Sequence, residues 1–197
     1  MSGVNQKNND ADKTIDFEPV FKMLNNELSK IDESLVLVCA GGYVMQLNGY
    51  KGTTDVDAFY ETNEAIDRII REVGDVCNVN MPGELWLNNS IANMNTEPPA
   101  MYCTIVHQFS NLVVKAVDII YLLGMKLISA RGQDLIDVSD IVRRNTELQP
   151  FALMSKFAEM SLSVDISILL DAFEGAYGME WLDAFYKENE VELRKYF

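Results

Sequence analysis

Two aspartates in an apolar setting are the residues of this 197-residue chain best placed to do chemistry. Asp55 and Asp57 are flanked by Val56, Ala58, Phe59 and Tyr60. The stretch Thr54 to Tyr60 predicts a strand. Residues two apart on a strand share a face, with Cα atoms ~6–7 Å apart. Two like charges so placed repel, and each is costly to bury alone. A divalent cation between them removes both costs. Oxygen-only ligation suits Mg²⁺, which takes one or two carboxylates together with substrate phosphates. The chain also contains the acid-x-acid pairs Asp10/Asp12, Asp16/Glu18, Glu188/Glu190 and Glu190/Glu192, but these lie in polar surroundings and read as solvated. Gly41-Gly42, directly after the apolar run Leu35 to Cys39, supplies a second part. A strand, a Gly pair and a helix start let backbone N–H groups approach an anion.

The elements that must position these residues follow from periodicity. Phe17, Val20, Phe21, Leu24 and Leu28 recur at helical spacing between Asp16 and Ile31, with Asp16 as a cap and Pro19 in the first turn. Leu35 to Cys39 predicts a buried strand, and Tyr43 to Leu47 a helical turn or two. Ala65, Ile66, Ile69, Ile70 and Val73 mark an amphipathic helix ending at Gly74. Residues 76–100 are rich in Asn and Pro and read as mostly irregular, with Glu84 to Leu87 as a short ordered piece and Trp86 as a packing residue. Met101 to Phe109 and Asn111 to Ile120 predict a hairpin turning at Ser110-Asn111. Beyond that the pattern is helical: Tyr121 to Ala130, Asp134 to Arg144, and about three helices after Pro150.

Composition narrows the classes. There are 30 Asp and Glu against 16 Lys and Arg, a net charge of −14, which argues against nonspecific nucleic-acid binding. The single His107 excludes sites built on two histidines, and Cys39, Cys77 and Cys103 lack metal-binding spacing. Their apolar neighbours predict reduced thiols in a core, as in a cytoplasmic protein. The polar start, Met1 to Thr14, predicts no signal peptide, and no apolar run reaches the ~18 residues of a membrane helix.

With these parts in place, the sequence resembles a known family. Gly41-Gly42, twelve residues, then Asp55-Val56-Asp57 in an apolar strand resembles the signature of the DNA-polymerase-beta-like nucleotidyltransferase superfamily. Lys51-Gly52-Thr53-Thr54-Asp55-Val56-Asp57 is similar to the Arg-x-Thr-x-Asp-x-Asp stretch of its small bacterial members. Leu122 to Arg131 with Lys126, followed by Asp134-Leu135-Ile136-Asp137, resembles the Lys-containing helix and the Arg…Asp-x-x-Asp motif of the AbiEii-like branch. That branch is known from abortive-infection and toxin–antitoxin systems. Gly42 stands where many members carry Ser, and Lys51 where Arg is usual.

The resemblance covers about residues 35–142 and implies an α/β fold, a nucleotidyltransferase-like mixed sheet flanked by helices. The expected organisation is a loose tail over 1–13, this domain over 14–148, and a helical C-terminal part over 149–197. The resemblance further implies a Mg²⁺-dependent transfer of a nucleoside monophosphate from an NTP to RNA (a tRNA among the candidates) or to protein, with a toxin-like activity and an antitoxin partner. Asp55 and Asp57 would bind the metal. Gly41, Gly42, Lys51, Thr53 and Lys126 would hold the nucleotide. Asp134 or Asp118 would be the third carboxylate. Each of the last three has a plainer reading: Lys126 as a snorkelling lysine, Asp134 as a helix cap, Asp118 as a partner of Lys115. A noncatalytic relative that keeps the fold as a binding or regulatory protein is the alternative.

Overall fold

The computed structural model describes residues 14–93 and 96–197, so the tail expected over 1–13 lies outside the described residues. The described residues build a mixed α/β fold. Its order is α1 (Glu18–Lys30), β1 (Leu35–Cys39), α2 (Gly41–Leu47), β2 (Val56–Phe59), α3 (Glu64–Val76) and β3 (Leu87–Asn88), then β4 (Cys103–Gln108) and β5 (Leu112–Val117). Helices follow: α4 (Ile119–Ser129), α5 (Gly132–Arg144), α6 (Pro150–Glu159), α7 (Ile166–Tyr177), α8 (Met179–Glu188) and the single turn α9 (Glu190–Leu193). The chain gathers into two compact units, one ending at Asp118 and the other spanning Ile119–Phe197. The expected organisation drew its boundary after 148. The earlier division has a physical reason: α4 is apolar nearly all round, Tyr121 to Leu127 are buried, and it packs on α5 and α6.

In the first unit the strands lie in the order β3-β2-β1-β5-β4. β1 pairs parallel with β5 and antiparallel with β2, while β5 and β4 form the expected antiparallel hairpin. The hairpin turn is fixed from outside, where Asn111 N–H donates to Asn25 Oδ1 at 2.8 Å and the Asn111 amide donates to Glu33 O at 2.9 Å. α1 packs on α3 and β5. Its Phe17 and Phe21 meet Tyr43 and Trp86, with Phe17 stacked on Trp86 at 6.1 Å. Trp86 is fully buried, and its indole N–H donates to Ile70 O at 2.9 Å, so the packing role expected for it is what the fold uses. Strand β2 is shorter than the expected Thr54 to Tyr60. The Thr53 hydroxyl bonds the Asp55 carboxylate just before it, and such local side-chain bonding competes with the strand ladder.

In the second unit α5 packs on α7, α7 on α6 and α8. An aromatic ladder runs through it: Trp181 stacks on Phe173 at 5.3 Å and on Phe185 at 5.0 Å, and Phe185 meets Phe151. Four helical segments follow residue 149 rather than about three, because Asn189 separates α9 from α8.

Gly74 offers a test of this packing. An alanine inside a helix is ordinarily about 1 kcal/mol better than glycine. Here a Cβ on Gly74 would lie 2.5 Å from Trp86 Cδ1 and against the Asn80 side chain that accepts the Trp86 N–H. Gly74→Ala is therefore expected to destabilise the chain, by about 1–3 kcal/mol in urea unfolding.

Candidate functional site

The end of β1, the start of α2 and the start of β2 meet at one end of the sheet. Ala40 N–H donates to Asp57 O at 2.9 Å, which extends the pairing of Cys39 with Ala58 by one residue. Gly41 has φ of +58°, a conformation open to glycine without steric cost. A Cβ there would lie 2.5 Å from Asp57 Oδ2, and one on Gly42 would lie 2.5 Å from Thr53 Oγ1. Both glycines are thus steric requirements, because the Asp57 carboxylate and the Thr53 hydroxyl rest on the backbone of α2. The same close approach accounts for the residue at 42: a serine side chain would begin where Thr53 Oγ1 stands. Thr53 Oγ1 donates to Asp55 Oδ1 at 2.8 Å. Five residues singled out from the sequence, Gly41, Gly42, Thr53, Asp55 and Asp57, are therefore brought together.

Both carboxylates line one cavity of ≈ 500 Å³, whose wall includes Tyr60, Glu84, Asn88 and Asn89. That volume falls in the range of small-molecule sites. The register Asp57↔Asn88 between β2 and β3 puts Asn88 beside the acidic pair. The Asn89 amide donates to Tyr60 O at 2.9 Å, while its buried Oδ1 has no hydrogen-bond partner among the described residues. The wall residues after Tyr60 fall in the stretch read as irregular. The usable signal was the apolar run Leu85-Trp86-Leu87, which is long enough for a short strand beside β2.

The remaining predicted residues are Lys51, Asp118, Lys126 and Asp134. Lys51 is half-buried in the loop before Thr53. Asp118 is exposed at the end of β5, and its N–H donates to Tyr102 O at 2.7 Å. Because β5 runs parallel to β1, with Ala116 beside Cys39, this is the sheet end that carries Gly41 and Asp57. Cys39 is fully buried there. Burial pushes its thiol up, the charge of Asp57 adds to the effect, and the group stays a neutral thiol.

In the second unit Lys126 and Asp134 face each other. Lys126 Nζ lies 2.9 Å from Asp134 Oδ1 and 2.7 Å from Asp137 Oδ2. Arg131 Nε holds the other Asp134 oxygen at 2.7 Å, and Gln133 donates to Asp137 Oδ1 at 3.0 Å. Lys126, Asp134 and Asp137 are all buried. Asp134 does not serve as an N-cap; Arg131 occupies that position and Asp134 lies in the first turn of α5. Burial pushes the Asp134 carboxyl up, but the hydrogen bonds from Arg131 and Lys126 outweigh this and hold it below the ordinary aspartate range. The spacing of Asp134 and Asp137 puts both carboxylates on one helix face, aimed at one ammonium.

Asp55 and Asp57 offer oxygen donors alone, and among the described residues no group of three or more His, Cys, Asp or Glu stands together as a metal cage. Two carboxylates completed by phosphate oxygens and water are a donor set that fits Mg²⁺. The chain matches no family model, no curated protein and no solved structure.

The Lys126 cluster yields a stability prediction. Removing the cation leaves two buried carboxylates with less compensation, so Lys126→Met should cost about 3–5 kcal/mol at pH 7. The folded-state pKa of Asp134 is depressed, so its contribution is complete above the ordinary value of 3.8 and fades as pH falls through the lower folded value. The gap between wild type and Lys126→Met in urea unfolding should accordingly narrow as the acid range is entered.

Proposed function

We propose that this chain is a Mg²⁺-dependent nucleotidyltransferase of the DNA-polymerase-beta-like kind, close to the AbiEii-like branch its motifs resemble. It would move a nucleoside monophosphate from an NTP to a hydroxyl acceptor. The observation that carries the proposal is the convergence of Gly41, Gly42, Thr53, Asp55 and Asp57 at one sheet end, with both carboxylates facing a cavity of nucleotide size. A metal bound by Asp55 and Asp57 would supply charge neutralisation at the phosphates and orient them.

The residues would divide the work as follows. Gly41 and Gly42 let the Asp57 carboxylate and the Thr53 side chain lie against the start of α2, and Lys51, in the loop before Thr53, offsets the charge of the triphosphate. Asp118, at the same sheet end, takes the proton from the acceptor hydroxyl. The hydroxyl oxygen forms a bond to the α-phosphorus as the bond to the leaving pyrophosphate breaks. Catalysis of this kind is mostly positioning and charge stabilisation. Lys126 and Asp134 are left out of the reacting set, since the ammonium is held by two carboxylates and both Asp134 oxygens are engaged. A net charge of −14 weighs against a nucleic-acid acceptor and towards a protein one.

The test is to incubate the chain with Mg²⁺, labelled NTPs and a cell extract. The wild type should label an acceptor. Asp57→Asn should lower labelling by roughly two orders of magnitude or more, in line with the several kcal/mol a catalytic cation supplies. Absence of labelling, together with absence of Mg²⁺-dependent NTP binding in calorimetry, would overturn the proposal. NTP binding without labelling would favour the noncatalytic alternative.

A further inference from the structure

We infer that Thr53 and Gln46 are positioning residues that fix the Asp55 carboxylate and leave its Oδ2 as the oxygen offered to a divalent cation. This rests on the proposal that Asp55 and Asp57 hold such a cation. Gln46, in the last turn of α2, bridges two backbone groups. Its Oε1 accepts the Thr53 N–H at 2.9 Å, and its Nε2 donates to Ile15 O at 2.8 Å. An N–H only donates and a carbonyl only accepts, so the orientation of this amide is fixed by its partners. The Thr53 carbonyl is held in turn by Ile15 N–H at 3.3 Å. The backbone of Thr53 is thus pinned on both sides.

The hydroxyl of Thr53 completes the relay. An ionised carboxylate can only accept, so the single Thr53 proton is given to Asp55 Oδ1. Thr53 then has no proton to offer a phosphate, which separates it from the nucleotide-binding role expected for it. The Thr53 side chain also rests on Gly42, which limits how far it can swing. Asp55 precedes β2 and lies outside the strand ladder. The strand therefore does not set its direction, and the Thr53 bond is the contact that does. Asp57, inside the strand, has its backbone set by the bond from Ala40. Two carboxylates meant for one ion are held by two different devices, and the relay from Ile15 through Gln46 and Thr53 is the one for Asp55.

The test uses the full chain and Mn²⁺, a paramagnetic stand-in for Mg²⁺. Its dissociation constant would be read by electron paramagnetic resonance, and the number of waters on the bound ion by proton relaxation. Removing a group that orients a metal ligand typically weakens affinity ~10–100-fold. Thr53→Val should show such a loss, with more water on the ion, and Thr53→Ser should restore both readings. Gln46→Met keeps the shape of the side chain without its hydrogen bonds and should weaken binding about 10-fold. It gives the same comparison if Thr53→Val does not fold. Wild-type binding with both Thr53→Val and Gln46→Met unchanged would overturn the inference and leave the cation site standing. Failure of the wild type to bind Mn²⁺, with or without an NTP, would instead overturn the site itself.

Discussion

The contact on which the first unit's candidate site depends is the seating of the Asp57 carboxylate on the backbone of Gly41. It requires a residue without a Cβ at 41, a left-handed backbone there, and a turn tight enough to send α2 back over β2. It also fixes what surrounds it. Ala40 pairs with Asp57, Thr53 is pressed onto Gly42, and the loop before β2 can follow only a narrow path. The acidic pair then opens on a cavity instead of being sealed in a core, which spares the chain the cost of two uncompensated buried charges.

The second unit solves a similar problem by other means. Lys126, Asp134 and Asp137 are as buried as the apolar residues around them, and they are reconciled by mutual pairing. With Arg131 the group has two positive and two negative charges. A closed cluster of this kind adds little net stability over an apolar core, since desolvation offsets the attraction, but it penalises every arrangement that separates the partners. It ties the last turn of α4 to the first turn of α5, where the left-handed Ala130 reverses the chain. The contrast between the two acidic sites is therefore one of closure: one pair is buried with protein cations, the other lines a cavity.

Much of this was legible in the sequence because it is local. The apolar run Leu35 to Cys39, the spacing of Ile66, Ile69, Ile70 and Val73, and the Gly pair each report a feature within a few residues. The hairpin turn at Ser110-Asn111 belongs with these. Three things were not legible, each because it depends on contacts between different elements of the fold. The Asn88-Asn89 wall is created by the pairing of β3 with β2, which no local pattern announces. The bridge from Ile15 through Gln46 to Thr53 joins three segments with no shared motif. The pairing of Lys126 with Asp137 needs the turn between α4 and α5, whereas the helical spacing of Asp134 and Asp137 reveals only that they share a face. The resemblance grouped Lys126 with nucleotide-binding residues, and its side chain pairs with the acids of its own motif.

The placement of the two tryptophans has a consequence of another kind. Trp86 lies sealed among Phe17, Phe21 and Ile70 in the first unit, while Trp181 stands half-buried in the aromatic ladder of the second. Each compact unit thus carries one indole of its own, in surroundings of different polarity. The two chromophores should differ in emission colour and in access to a soluble quencher. The intrinsic fluorescence of the chain is then a two-channel signal, and the loss of order in each unit can be followed under its own light.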